Sequence, residues 1–327
     1  MMIIITGPTG VGKSDMALAL AKEINGEIVN ADVGQFYLPL TIGIAKPNWQ
    51  GQQIPHHLFD VVPQPVNYSV MDFLEQVRVC VQAIHERGHV PIIVGGSSFY
   101  IYSLFFPPVH DSVRTSNTSK RSYDQPIDQL STDQLSTEQL WSALQKIDAV
   151  RAAQINVSDR YRIMRALNIW HTHQLKPSTL KPVFAPLQVP AALIVITRDR
   201  QDLVERINER VHLMFDAGWI EEVEKLGYEW HEFLLNKKLI GYDDIVRWLE
   251  KRDQQKQLVA MQLNESIAQK TRAYAKRQTT FNRLIVKKVE EHRDCVYTEL
   301  INVTGKHYDE ILQKLSIVLK EKGYGRE

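Results

Sequence analysis

The sequence predicts an α/β fold, a P-loop-type parallel sheet core carrying a mostly helical insertion domain. Three observations predict it. Strand-like and helix-like segments alternate over residues 1–109. The first apolar run ends in a glycine-rich turn that opens a helical segment. After Pro107-Pro108 the alternation stops, and helical spacing dominates until another strand-like run at Leu193–Thr197.

Each element follows from its local pattern. Ile3-Ile4-Ile5 is a short apolar run of strand type. Ser14 to Ile24 places Met16, Ala17, Leu20, Ala21 and Ile24 on one helical face. Glu27 to Asp32 is strand-like and ends on a carboxylate. Val70 to Glu86 has the period of an amphipathic helix closed by Gly88, and Val90 to Val94 is a buried strand running into Gly95-Gly96. Residues 109–126 are polar and aperiodic, and Asp-Gln-Leu-Ser-Thr then occurs twice between Asp128 and Thr137. A period of five fits neither helix nor strand, so this stretch is expected to be a loop or partly ordered insert. Ser136 with Gln139 fits a capping box for a helix from Thr137 to about Asp148. Further helices are predicted at Asp159–His171, Gln201–Ala217, Trp219–Leu226 and Leu258–Ile285, with Leu193–Thr197 a strand returning to the sheet. The core is thus expected at 1–109 and about 190–327, and the helical insertion at about 110–190.

Bulk properties narrow the function classes. A chain of 327 residues suffices for one large or two modest domains. With 44% apolar and 24% charged residues it reads as globular, and no apolar run approaches the ~20 residues needed to cross a bilayer. Met1 to Ile5 lacks a basic lead and a cleavage site, so it reads as a strand and not as a signal peptide. Two cysteines, Cys80 and Cys295, cannot build a disulfide framework, and a cytoplasmic location is expected. The net charge of +1 does not point to nucleic acid, but its distribution does: Lys270 to Lys288 holds seven Lys/Arg and no acidic residue.

The strongest motif is Gly7-Pro8-Thr9-Gly10-Val11-Gly12-Lys13-Ser14, a full G-x-x-x-x-G-K-[ST] between a strand and a helix. Its glycines let backbone N–H groups close around phosphate oxygens, and the helix N-terminus adds a positive dipole end. Lys13 adds a point charge, and Ser14 can ligate Mg²⁺. The motif identifies a phosphate chain without saying which. P-loop kinases and NTPases also carry an apolar strand ending in Asp or Glu to hold Mg²⁺. Here the best such strand ends in Gly95-Gly96, while Asp32 ends another. A carboxylate at that edge faces the ligand crevice as a base or metal ligand, unless it merely caps a turn.

Several blocks together resemble the tRNA dimethylallyltransferases, also called tRNA isopentenyltransferases. They are the P-loop, Asn30 to Tyr37, Gly43 to Pro47, Pro55 to Asp60 and Gly95 to Tyr100. They continue with Asp159 to Leu167, Arg206 to Arg210 leading to Met214 and Gly218, Ile240 to Tyr242, and Thr271 to Gln278. The resemblance covers roughly residues 3–285. The chain has Asp32-Val33 where the family usually has Asp-Ser, and Gly95-Gly96-Ser97 where it usually has Gly-Gly-Thr. Ser97 keeps its hydroxyl; Val33 loses one near the target base.

The resemblance implies transfer of a dimethylallyl group from its diphosphate to N6 of adenine 37, beside the anticodon of tRNA, with Mg²⁺ and without ATP. It implies Asp32 as the base, with Thr9 and Arg210 also catalytic. Diphosphate binding falls to Gly7, Pro8, Thr9, Gly10, Val11, Gly12, Lys13, Ser14 and Ser97, with Ser14 on the metal. Contacts to the tRNA anticodon stem-loop fall to Asp32, Gln35, Arg160, Arg165, Arg272, Lys276, Arg277 and Gln278. The target adenine is expected to leave the stack for a crevice between domains. A monomer without membrane attachment is expected.

Plainer readings exist for the same residues. Arg206 and Arg210, four apart on a charged helix, are of a type commonly just solvated. The Lys270–Lys288 stretch would alone be a solvated face, although interleaved Tyr274 and Phe281 favour RNA. His56-His57 point in different directions with no third ligand, so packing under the crevice is expected in place of zinc. Competing functions are an adenylate isopentenyltransferase acting on free AMP, a P-loop small-molecule kinase, and an RNA-binding module without catalysis. The basic helix and the Asp159–Leu167 block oppose the first, the missing acidic strand the second, and intact Lys13, Ser14, Asp32 and Arg210 the third.

Overall fold

The computed structural model describes residues 1–108, 135–180, 183–185, 187, 190–250, 258–292 and 294–323. Their elements run β1 (Met2–Thr6), α1 (Lys13–Ile24), β2 (Gly26–Asn30), β3 (His56–His57), α2 (Val70–Glu86), β4 (Val90–Val94) and α3 (Ser98–Phe105). Then come α4 (Thr137–Ile147), α5 (Ala149–Gln154), α6 (Arg160–His173), β5 (Ala191–Thr197), α7 (Arg200–Asp216), α8 (Trp219–Glu224), α9 (Tyr228–Lys237) and α10 (Tyr242–Leu249). α11 (Leu258–Glu290), β6 (Val296–Asn302) and α12 (Tyr308–Glu321) complete them. The chain folds as two compact units, Met1–Phe105 with Pro186–Glu327, and Phe106–Ala185.

The first unit is built on a six-stranded sheet of order β3-β2-β4-β1-β5-β6 in which every pairing is parallel. The central strands are apolar because both faces are covered: β1 and β4 are buried along their whole length. α1 turns the predicted face, Met16, Ala17, Leu20, Ala21 and Ile24, into the core. Since β4 lies between β2 and β1, the turn after β4 stands between the P-loop after β1 and Asp32 after β2. All three sit at the carboxyl edge of the sheet, where α/β folds bind ligands.

The smaller unit packs α4, α5 and α6 around Leu140, Leu144, Ala152, Ile155, Ile163, Ala166 and Leu167. The Ser136–Gln139 capping box forms as read from the sequence. Most of the five-residue repeat, Asp128 to Gln134, lies outside the described residues.

Several elements lack a clear local signature in the sequence: α3, α5, α9, α10, α12 and the strands β3 and β6. β3 is two residues long, and β6 is an edge strand whose polar residues mask its period. The seven residues of β6 pair with β5 throughout, so register with a neighbour and not local apolarity makes it a strand.

Candidate active site

A cavity of about 360 Å³ opens in the larger unit, lined by Thr9, Asp32, Ser97, Arg210, Arg277 and Gln278 on its polar side. Val211, Met214, Trp219, Leu239 and Ile240 supply apolar wall. Residues separated by most of the chain therefore meet at one place.

The P-loop is shaped by its neighbours. Gly7 must be glycine, because a Cβ there, at φ +155°, would lie 2.4 Å from the backbone oxygen of Ile196 on β5. From α7, Arg206 Nε donates to the Gly10 carbonyl at 3.1 Å; just before that helix, Arg198 Nε donates to the Val11 carbonyl at 3.3 Å. Two cations thus hold loop carbonyls on one side. Arg206, read from sequence as solvated, is exposed yet has this structural contact. Lys13 Nζ donates to the Pro8 carbonyl at 2.8 Å. Desolvation of its enclosed ammonium pushes the Lys13 pKa down to about 8; the nearby Arg210 guanidinium adds to this and the Asp32 carboxylate opposes it. Burial likewise lowers Arg210, whose charge Asp32 and Asp15 favour. Ser14, in the first turn of α1, is exposed.

Asp32 serves two purposes. Its Oδ1 accepts from the Gly34 N–H at 3.3 Å and caps a 3₁₀ turn over Val33–Phe36. Its Oδ2 faces Gly96: a Cβ on that glycine would lie 3.3 Å from Oδ2, 3.5 Å from Lys13 Nζ and 2.8 Å from Gln278 Nε2. Glycine at position 96 leaves open the point where a carboxylate, an ammonium and an amide converge. Ser97 Oγ accepts from the Val33 N–H at 2.9 Å, so its hydroxyl also ties the two turns together. Gln35 lies in the same turn, with its amide at 3.5 Å from the Ile44 and Ala45 carbonyls.

The site's other wall was not foreseen as such. Glu222 on α8 accepts from the backbone N–H of Thr41 at 3.0 Å and of Ile42 at 2.7 Å, and from the Tyr242 hydroxyl at 2.6 Å. The Trp219 indole fills the space between Gly43 and Gly241: a Cβ on either would lie 2.0 Å from the ring. Gly218 and Tyr242 stood within motif blocks; only the fold joins them to the loop 41–47.

The basic helix divides its residues among different tasks. Lys276 and Arg277 are exposed, and the Arg277 guanidinium lies 5.8 Å from the Tyr274 ring centroid. Arg272 is held by Asn208 at 2.5 Å and Glu265 at 2.7 Å. Gln278, expected to meet RNA, is 3% exposed and points inward. In the smaller unit Arg160 donates to the Leu135 carbonyl at 2.7 Å, and Arg165 is exposed on α6. His57 bonds to the buried Glu27 at 2.6 Å, and His56 to the Ile54 carbonyl at 2.7 Å.

A family model described as IPP transferase matches residues 35–284. The chain belongs to the IPP transferase family. A tRNA dimethylallyltransferase of Bacillus mycoides is 36% identical to this chain over 285 residues, 86% of each chain. One of Anoxybacillus flavithermus is 34% identical over 92% of this chain and 94% of its own. The solved tRNA isopentenylpyrophosphate transferase of Bacillus halodurans superposes with a TM-score of 0.63 at 26% identity, covering 98% of this chain and 96% of that one. Among the described residues, no helix is long and apolar enough to cross a membrane.

Proposed function

We propose that this enzyme transfers a dimethylallyl group from dimethylallyl diphosphate to N6 of adenine 37 in tRNA and releases pyrophosphate. The observation that carries this reading is the meeting of a P-loop with Asp32 in one cavity, while the strand between them ends in Gly95-Gly96 and not in an acid. A P-loop without the acid that kinases use suits a diphosphate that leaves whole.

The N6 lone pair attacks C1 of the dimethylallyl group, the C1–O bond breaks, and the electron pair departs on pyrophosphate. That lone pair is delocalised into the purine ring, so attack needs removal of an N6 proton. Asp32 Oδ2 takes it, Oδ1 being occupied by Gly34. Lys13, Arg210 and the P-loop amides stabilise charge that develops on the leaving group. Ser14 is the donor suited to Mg²⁺, which when bound would offset diphosphate charge. Its exposed hydroxyl fits, because Mg²⁺ in phosphate sites uses one or two protein donors with substrate oxygens and water. Lys276 and Arg277 on α11, and Arg165 on α6, would meet tRNA phosphates. The enzyme acts as a monomer in the cytoplasm.

Incubation with labelled dimethylallyl diphosphate, Mg²⁺ and either tRNA or AMP tests the proposal. Label in tRNA, with no need for ATP, is expected. Label in AMP would make the enzyme an adenylate isopentenyltransferase, and phosphoryl transfer from ATP would make it a kinase.

A further inference from the structure

We propose that Gln278 is a positioning residue for the donor diphosphate: its side-chain amide clamps the P-loop to the turn after β4. The inference rests on the prenyl-transfer reading above. Gln278 Oε1 accepts from the Thr9 N–H at 2.8 Å, and Nε2 donates to the Gly96 carbonyl at 2.6 Å. Tyr274, one turn earlier on α11, lines the same cavity. The residue is 3% exposed; its bond to Gly96 is buried and its bond to Thr9 part-buried, and losing a buried partner is costly.

The two bonded atoms belong to the P-loop and to the turn after β4, which stands between the P-loop and Asp32. Thr9 is a residue of the P-loop, and Gly96 is where the Asp32 carboxylate, the Lys13 ammonium and Gln278 converge. The amide supplies an acceptor for Thr9 and a donor for Gly96 from two separate atoms, so both bonds form at once. A bond to the Thr9 N–H also takes that donor from any phosphate oxygen, so Gln278 orders the loop and the remaining P-loop groups bind the diphosphate. Its inward aim separates it from Lys276 and Arg277, its exposed neighbours on the same helix. The clamp therefore governs donor affinity and not tRNA affinity.

The test compares Gln278→Met, which keeps length and loses both bonds, with Gln278→Glu, which keeps the acceptor and loses the donor. Steady-state KM for dimethylallyl diphosphate should rise about tenfold or more in both, with kcat changed less than about threefold and tRNA Kd within about twofold. A raised tRNA Kd with an unchanged donor KM would overturn the proposal and make Gln278 an RNA contact. Equal losses in every constant would make it a structural residue only. If the variants do not fold, amide exchange in the wild-type protein decides: Thr9 should exchange slowly, and exchange at open-loop rates would overturn the clamp. Wild-type protein that transfers no label to tRNA would instead count against the functional reading.

Discussion

The Oδ1 oxygen of Asp32 accepts the Gly34 N–H at 3.3 Å, so the carboxylate that faces the cavity is also the cap of the turn behind it. Asparagine keeps that cap, because its carbonyl oxygen accepts equally well. Asp32→Asn should therefore leave thermal stability near wild type while single-turnover transfer falls roughly 10²–10⁴-fold, the usual worth of a general base. Binding of tRNA and donor should change little. A normal single-turnover rate would remove Asp32 from the mechanism, and partial recovery on raising Mg²⁺ would make it a metal ligand.

Lys13 should set the alkaline limb of donor binding. With its pKa pushed down to about 8, the free enzyme loses this positive charge as pH rises past that point. The donor KM should climb there, and Lys13→Ala should raise KM, lower kcat and abolish the limb. Stability should move the other way. The folded pKa lies below the ordinary 10.5, so enclosing the charge costs stability below pH 8. That cost fades as pH rises toward 10.5, and Lys13→Met should lack this rise in a denaturation series.

Phosphate contacts should be uneven along α11. Lys276→Ala and Arg277→Ala should each flatten the salt dependence of tRNA binding by about one unit of slope. Arg272→Ala should flatten it less and lower the unfolding midpoint, since its guanidinium is held by Asn208 and Glu265. Equal slopes for all three variants would contradict this division.

Tyr242→Phe should disturb the cavity without touching its chemistry. It removes the 2.6 Å bond to Glu222, whose other oxygen holds Thr41 and Ile42. A loss of ~1.5–3 kcal/mol is expected in chemical denaturation, the range for a bond to a charged acceptor. Unchanged stability would show that Glu222 holds the loop unaided.

Glu27 should govern acid stability. Burial alone would raise its pKa, but hydrogen bonds from Arg87, His57 and His89 hold it down to about 2 against an ordinary 4.5. Its contribution is present above pH 4.5 and is lost as pH falls toward 2, about 3 kcal/mol in all. Glu27→Gln should remove that dependence in an acid titration followed by circular dichroism.

Local pattern alone determined the parts of this protein whose information is local. The P-loop, the buried strands β1 and β4, the faces of α1 and α2 and the Ser136 cap could be read because each depends on spacing within one or two turns. Asp32 could be singled out because a carboxylate closing a strand is a local signal, and the ordered motif blocks carried the family. Tertiary structure decided what depends on contacts across the chain. Gln278 belongs to a basic helix by sequence, yet its amide turns inward because Thr9 and Gly96, more than 180 residues away, supply the complementary donor and acceptor. Trp219 reads as an ordinary apolar helix residue, and becomes a wall only because Gly43 and Gly241 leave room for its ring. Hydrogen-bond pairing and steric fit are properties of atoms brought together by the sheet order, and no window of sequence contains both partners.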